Sequence, residues 1–465
     1  MNPPDGEAGA ALVPDADAAL VSRSCEVSDV SFGSFLAAGD RHRVHWAAPD
    51  GLEVVGGGAA ARLTADGPGR FESLRRDAET LFSAVDHEGP AATRPRVFGG
   101  LSFGPDHDPE GVWEGFPAAA FTLPAVQLTR VDDGTYLTVT RYGPDVHAEG
   151  VSDALAAVRD RLADLPMMRA RSEKPGVVGT EWLVDRDEWT AQVANVIDRI
   201  RAGDLRKAVL ATALRVDLGE EVDIPDTLGR LRRTYPECYR FLVQPTGGKG
   251  FFGPPPERLV RREGEVVETE ALAGSMPRGD TPEADAEHAR ALLESDKLQH
   301  EQRLVVDTIC EQLDAFGTVG EGEQGVRKLT NIQHLQTPIT AVLDGDTHVL
   351  ELVEALHPTP AVGGLPLDAA LETIRETETW DRGWYASPVG WFDAAGDGEF
   401  AVGIRSGVAG GREATLFAGN GIVGDSDPDD EWDELQPKVR PIMDELERDV
   451  DRGETSDANG EQSDP

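Results

Sequence analysis

Lysine is scarce in this sequence. Six occur in 465 residues (Lys174, Lys207, Lys249, Lys297, Lys328 and Lys438), beside 38 arginines. Acidic residues outnumber basic ones 85 to 44, a formal net charge of −41. A surface so short of positive charge repels nucleic acid and anionic membranes, which excludes both as partners. It also opposes capture of an anion, so an anionic substrate needs local cations or a metal ion. Acid excess with little lysine suits a halophilic setting, where a Debye length of about 3 Å at 1 M salt screens self-repulsion. An ordinary acidic cytosolic protein is the alternative. Cysteine is nearly absent too: Cys25, Cys238 and Cys310 have no CxxC spacing. That excludes a disulfide framework and predicts free thiols in a reducing compartment. No apolar run approaches 18 residues and the N-terminus is acidic, so neither a membrane span nor a signal peptide is expected. A cytoplasmic location follows as the expectation.

What is present divides the chain unevenly. Residues 1–22 and 449–465 are acidic, rich in small residues and without apolar period, the composition of loose tails. Residues 23–166 carry short strand signals and two helices, Phe71–Val85 and Val151–Leu165. Residues 167–180 have linker composition, and residues 181–448 hold every reactive candidate. Apolar residues at 189, 193, 196, 197 and 200 predict a one-faced helix. Lys207–Leu214 has strand character, and a single long helix is predicted over Ala284–Phe316. Phe251–Gly279 predicts a hairpin turning at Arg262-Glu263-Gly264-Glu265.

Several side chains stand out chemically. Lys207 opens a strand and shares a face with Val209, Ala211 and Ala213. Either it is a desolvated lysine suited to general-base work or it reaches out to water. Glu257 follows three prolines; a buried carboxyl there can serve as an acid, whereas an exposed one would pair with Arg258 or Arg261. Glu301 shares a helical stripe with Glu294 and Lys297, which an exposed ion-pair ladder would also produce. Asp427-Pro428 followed by acids starts a helix carrying Glu434 and Lys438 one turn apart. Pro437 and Pro441 threaten to kink that helix and spoil the reach of Lys438. Arg405 is a fork donor for a carboxylate or one half of a structural ion pair. Gly419-Asn420-Gly421-Ile422-Val423-Gly424 matches GxGxxG, but without a βαβ unit or a following acidic residue it is not a dinucleotide site.

Lys207, Glu257 and the Leu272-Ala273-Gly274-Ser275 segment are followed by Asn331-Ile332-Gln333-His334-Leu335. Leu356-His357-Pro358-Thr359-Pro360-Ala361-Val362-Gly363-Gly364 and Ala418-Gly419-Asn420-Gly421-Ile422-Val423 come next. In this order they resemble the chorismate-utilising enzymes, and among these the isochorismate synthases, densely from Trp189 to Leu446 and thinly before. The resemblance implies an α+β fold of two face-to-face antiparallel sheets with outer helices and the site between them. It implies Lys207 as the base that activates water, where relatives that add ammonia generally carry glutamine, and Glu257 as the acid. It implies Mg²⁺ as cofactor on Glu301 and Glu434, with the Gly274 backbone beside the ring carboxylate. Ala361 and Val362 would line the ring; Tyr385, Arg405, Gly419 and Lys438 would hold the enolpyruvyl arm. His334 and His357 would shape the pocket. The expected reaction is chorismate to isochorismate, feeding menaquinone or siderophore synthesis. Salicylate synthase and a non-catalytic chorismate-binding regulator remain alternatives. No amidotransferase partner is expected, and the chain is expected as a monomer or weak dimer.

Overall fold

The computed structural model describes residues 14–448, apart from positions 16, 40, 41, 50, 133, 168, 170, 171, 246, 247 and 331. The C-terminal tail, most of the N-terminal tail and Asn331 therefore lie outside the described residues. Strand Ala119–Val131 is the branch point of the sheet system. One edge pairs with Glu53–Ala65; along the other, its first half takes Arg96–Leu101 and its second half takes Gly134–Gly143. From Glu53–Ala65 one arm runs through Arg43–Ala47, Arg240–Gln244, Gly250–Gly253, Gly407–Gly410 and Glu413–Ile422 to Lys207–Leu218. From Arg96–Leu101 the other runs through Pro388–Asp393, Gly398–Val402, Arg258–Glu263 and Val266–Pro277 to Ile332–Leu343. Both arms are antiparallel; among the described residues the parallel pair is Ala19–Glu26 with Val85–Glu88. The architecture is α+β, and its two sheets are joined through one long strand rather than separate. The N-terminal half thus feeds both arms.

One core cluster unites the arms, with Ala211, Phe251 and Phe417 from the first and Val260, Ala271 and Phe400 from the second. Helix Arg186–Ala202 buries Trp189, Val193, Val196 and Ile197, the stripe its periodicity predicts, against the outer face of the first arm. Phe417 centres an aromatic column: it stacks on Trp113 (centroids 5.1 Å, 10°), Trp380 (5.8 Å, 3°) and Tyr385 (5.3 Å, 30°). Because it lies two residues before Gly419, that column fixes the strand that flanks the site. Phe417→Ala is expected to cost about 3–5 kcal/mol through lost burial and an unfilled cavity. Urea unfolding checks this, and a loss below about 1 kcal/mol would show that the column can close over the gap.

Several elements depart from what periodicity predicts. The loose stretch 1–22 ends early, because Leu20 and Val21 bury as part of strand Ala19–Glu26. The linker stretch 167–180 ends in strand Val177–Trp182, which pairs with Lys207–Leu218. The long helix is two, Pro282–Glu294 and Asp296–Leu313, because Ser295 is extended and its hydroxyl caps the second at the Leu298 amide. Glu294 therefore does not share a helix with Glu301, and Lys297 pairs instead with Asp425 at 2.5 Å. Asp427 caps Pro428–Asp433 as predicted, but the helix breaks at Glu434 and restarts as Leu435–Leu446. Pro437 falls in the first turn of that second helix, where no N–H is required. No helix among the described residues is long and apolar enough to cross a membrane.

Candidate active site

Glu257 sits at the mouth of the predicted hairpin, which forms as Arg258–Glu263 and Val266–Pro277 with Gly264 in the left-handed region (φ 62°). Pro254, Pro255 and Pro256 fix the backbone before it, and only acceptors remain to be satisfied: the Pro255 carbonyl accepts from the Tyr239 amide at 3.0 Å. The Glu257 carbonyl accepts from the Val402 amide at 3.1 Å, locking the segment to the neighbouring strand. Its carboxyl is buried, not a surface partner for Arg258 or Arg261. Burial first, then the nearby Glu270 carboxylate, pushes it up to about 8, against the pull of Arg327 and Lys207. A carboxyl so placed holds its proton at neutral pH.

Lys207 opens strand Lys207–Leu218, and its Nζ stands 3.0 Å from Glu301 Oε1. It is neither free in solvent nor alone among aliphatics; the side chain lies flat over Gly421. A Cβ at Gly421 would come within 2.6 Å of Lys207 Cε, so glycine there is what admits the lysine. Lys207 is also among the charges acting on Glu257, which puts the two in one region.

The second group surrounds Arg405. That residue holds a left-handed backbone (φ 53°), a strained conformation for a side chain of this size. Among the described residues it makes no ion pair, so a purely structural salt bridge is ruled out for it. Its guanidinium faces a cavity of about 230 Å³ also lined by Tyr235, Pro254, Met276, Glu434 and Lys438. Lys207 and Glu257 do not line this cavity; Pro256, the residue before Glu257, and Ser275, the residue after Gly274, do. Burial pushes the Tyr385 hydroxyl up to about 12 and lowers Arg405 and Lys438, the lysine to about 8. Despite Pro437, Lys438 reaches inward: Nζ donates to the Gly419 carbonyl at 2.9 Å and to Asn420 Oδ1, and lies 3.6 Å from Glu434 Oε2. Strand Glu413–Ile422 therefore links the two groups, with Gly419 under Lys438 and Gly421 under Lys207.

The remaining candidates frame this space. Gly274 takes φ 62° at a bulge opposite Leu335 and His334, against Leu298 of the Glu301 helix. Its carbonyl lies 3.3 Å from His334 Nδ1, and burial drives that imidazole down to about 4, hence neutral. His357 is likewise a satisfied buried ring, 3.1 Å from the Phe103 carbonyl. Ala361 and Val362 lie on the loop that follows, which a buried ion pair fastens down. Arg382 donates to the Val362 carbonyl (3.1 Å), to the Val209 carbonyl (2.5 Å) and to Glu378, whose carboxylate accepts from the Ala211 amide (2.8 Å). This pair staples the loop that carries Ala361 and Val362 to the Lys207 strand. Nothing in the spacing of Glu378 and Arg382, an ordinary i,i+4 pair, distinguishes it from a surface bridge.

Glu301 and Glu434 supply hard oxygen donors of the kind Mg²⁺ takes, one or two carboxylates completed by substrate and water. Both side chains keep solvent access (29% and 63%), and each pairs with a lysine. No cluster of three or more metal-ligating side chains occurs among the described residues. As donor types, two such carboxylates suit an ion that takes its remaining oxygens from substrate and water.

The chorismate binding enzyme family matches residues 10–447. Isochorismate synthase MenF of Bacillus subtilis is 34% identical over 447 residues, covering 92% of this chain and 94% of that protein. The salicylate biosynthesis isochorismate synthase of Pseudomonas aeruginosa is 35% identical over 439 residues, covering 92% and 90%. Among solved structures, the menaquinone-specific isochorismate synthase MenF from Escherichia coli superposes with TM-score 0.79 at 26% identity, covering 92% of this chain and 96% of that one. Anthranilate synthase component I from Streptococcus pneumoniae shares the fold, with TM-score 0.72 at 20% identity over 85% and 93%.

Proposed function

Because this chain belongs to the chorismate-binding enzyme family, we propose that it is an isochorismate synthase converting chorismate to isochorismate. Lys207 takes a proton from the water that adds at ring carbon 2. The ring double bond shifts, and Glu257 gives its proton to the hydroxyl on carbon 4, which leaves as water. One water enters and one departs, so the net change is an isomerisation. Arg405, Lys438 and Tyr385 hold the enolpyruvyl arm beside Gly419, and Ala361 and Val362 confine the ring. Held by Glu301 and Glu434 near Gly274, Mg²⁺ would supply charge neutralisation for the ring carboxylate. These few cations and the ion offset locally the field of a chain carrying −41 overall. No amidotransferase is needed, since water is the nucleophile, and the product suits a menaquinone or siderophore route.

The observation that carries this reading is Glu257: a buried carboxyl held near 8, with Lys207 acting on it. An acid that keeps its proton at neutral pH is what protonation of a poor leaving group demands. Incubating the purified chain with chorismate and Mg²⁺ in high salt should yield isochorismate without pyruvate. Salicylate and pyruvate in equal amounts would assign it to the salicylate synthases instead. Chorismate binding without turnover would mark a regulator.

A further inference from the structure

Glu270 is held more firmly than any role in the hairpin requires. It stands on strand Val266–Pro277 opposite Pro338, with a side chain about one-tenth exposed. Oε1 accepts from Arg327 Nη1 at 2.5 Å and from the backbone amide of Arg258 at 3.3 Å, and Oε2 accepts from Gln336 Nε2. Three donors on three strands thus fix one carboxylate. Arg258 is the residue after Glu257, so one of these bonds ties Glu270 to the backbone that carries the acid.

Resting on the reading of Glu257 as the acid, we propose that Glu270 is a positioning residue that keeps the proton on Glu257 until the leaving hydroxyl takes it, with Arg327 limiting the strength of that hold. A carboxylate fixed beside a second carboxyl opposes ionisation of its neighbour. After burial itself, Glu270 is the influence that raises Glu257, while Arg327 and then Lys207 oppose it. The charged groups facing Glu257 therefore come from three strands: Val266–Pro277, Gly325–Lys328 and Lys207–Leu218. Glu301, from helix Asp296–Leu313, reaches it through its pair with Lys207. His334, on Ile332–Leu343, is neutral. The Arg258 guanidinium is turned away to Tyr239 and Glu268. Arg327, paired to Glu270, has its charge largely matched there, which lets the anion prevail at Glu257.

The test is a ¹³C NMR titration of the full chain labelled at the glutamate carboxyl carbon, with the Glu257 signal identified by its loss in Glu257→Gln. In Glu270→Gln the Glu257 midpoint should fall by about one unit or more. In Arg327→Gln it should rise. The basic limb of the isochorismate-forming rate should move with each midpoint, in opposite directions for the two variants. A purely structural Glu270 would lower the rate without moving either; a Glu257 midpoint unchanged in Glu270→Gln, or shifted the same way in both variants, overturns the proposal. If Glu270→Gln does not fold, the upward shift in Arg327→Gln decides it. The midpoints are read without turnover. If they move as stated while the wild type makes no isochorismate, the functional reading fails and only the hold of Glu270 on the Glu257 proton stands.

Discussion

Glu257→Gln is expected to lower kcat for isochorismate formation by about 10³-fold, with chorismate affinity roughly unchanged. Glutamine fills the same space but has no proton to give the departing hydroxyl, and the groups that hold the enolpyruvyl arm are untouched. The wild-type rate should fall as pH rises through about 8, where Glu257 loses its proton. Stability follows the same sign. The folded-state value lies above the ordinary 4.5, so the stabilisation due to the proton is complete below about 4.5 and is lost as pH rises through about 8. Glu257→Gln has no charge to bury, so above pH 8 it should resist urea better than the wild type. A variant that is inactive because it is less stable at every pH would contradict the assignment, since the carboxyl would then be a structural group.

Lys207→Gln should be comparably damaging, with a loss of about 10²–10⁴-fold, because water is then left without a base. The amide is also shorter than the lysine arm that crosses Gly421 to reach Glu301. Folding should survive, since the Lys207–Glu301 pair is half-buried rather than enclosed, with side chains 15% and 29% exposed. Calorimetric titration with chorismate should show binding retained while isochorismate formation disappears. A variant with near-normal turnover would remove Lys207 from the mechanism and leave its pair with Glu301 as its role. Glycine at 421 belongs to the same arrangement, because any Cβ there displaces the lysine.

The parts of this site that were legible in the sequence are those that local chemistry dictates. Three prolines before Glu257, a polar turn at Gly264 and a capping aspartate before Pro428 each fix a short stretch of backbone, and the structure has all three. The order of Lys207, Glu257 and the glycine strand was legible through likeness to relatives rather than through periodicity. What stayed hidden depends on tertiary contact. Ser295 breaks a helix whose apolar stripe continues past it, so the break left no trace in the spacing. Arg327 lies on the four-residue strand Gly325–Lys328, too short for any period to show. Glu270 and Glu268 alternate on a strand whose other face is Val267, Thr269 and Ala271, a pattern shared with any half-exposed sheet edge. The buried Glu378–Arg382 pair looks in sequence like a helix-surface bridge. Burial separates these cases, and burial is decided by strands far away in the chain.

Turnover of chorismate in H₂¹⁸O reaches the chemistry most directly. A base at Lys207 and a protonated carboxyl at Glu257 acting on one ring require each isochorismate formed to carry a single ¹⁸O, in the hydroxyl on carbon 2, with the original carbon-4 oxygen released to solvent. Isochorismate that retains only the oxygen atoms of chorismate would contradict the account.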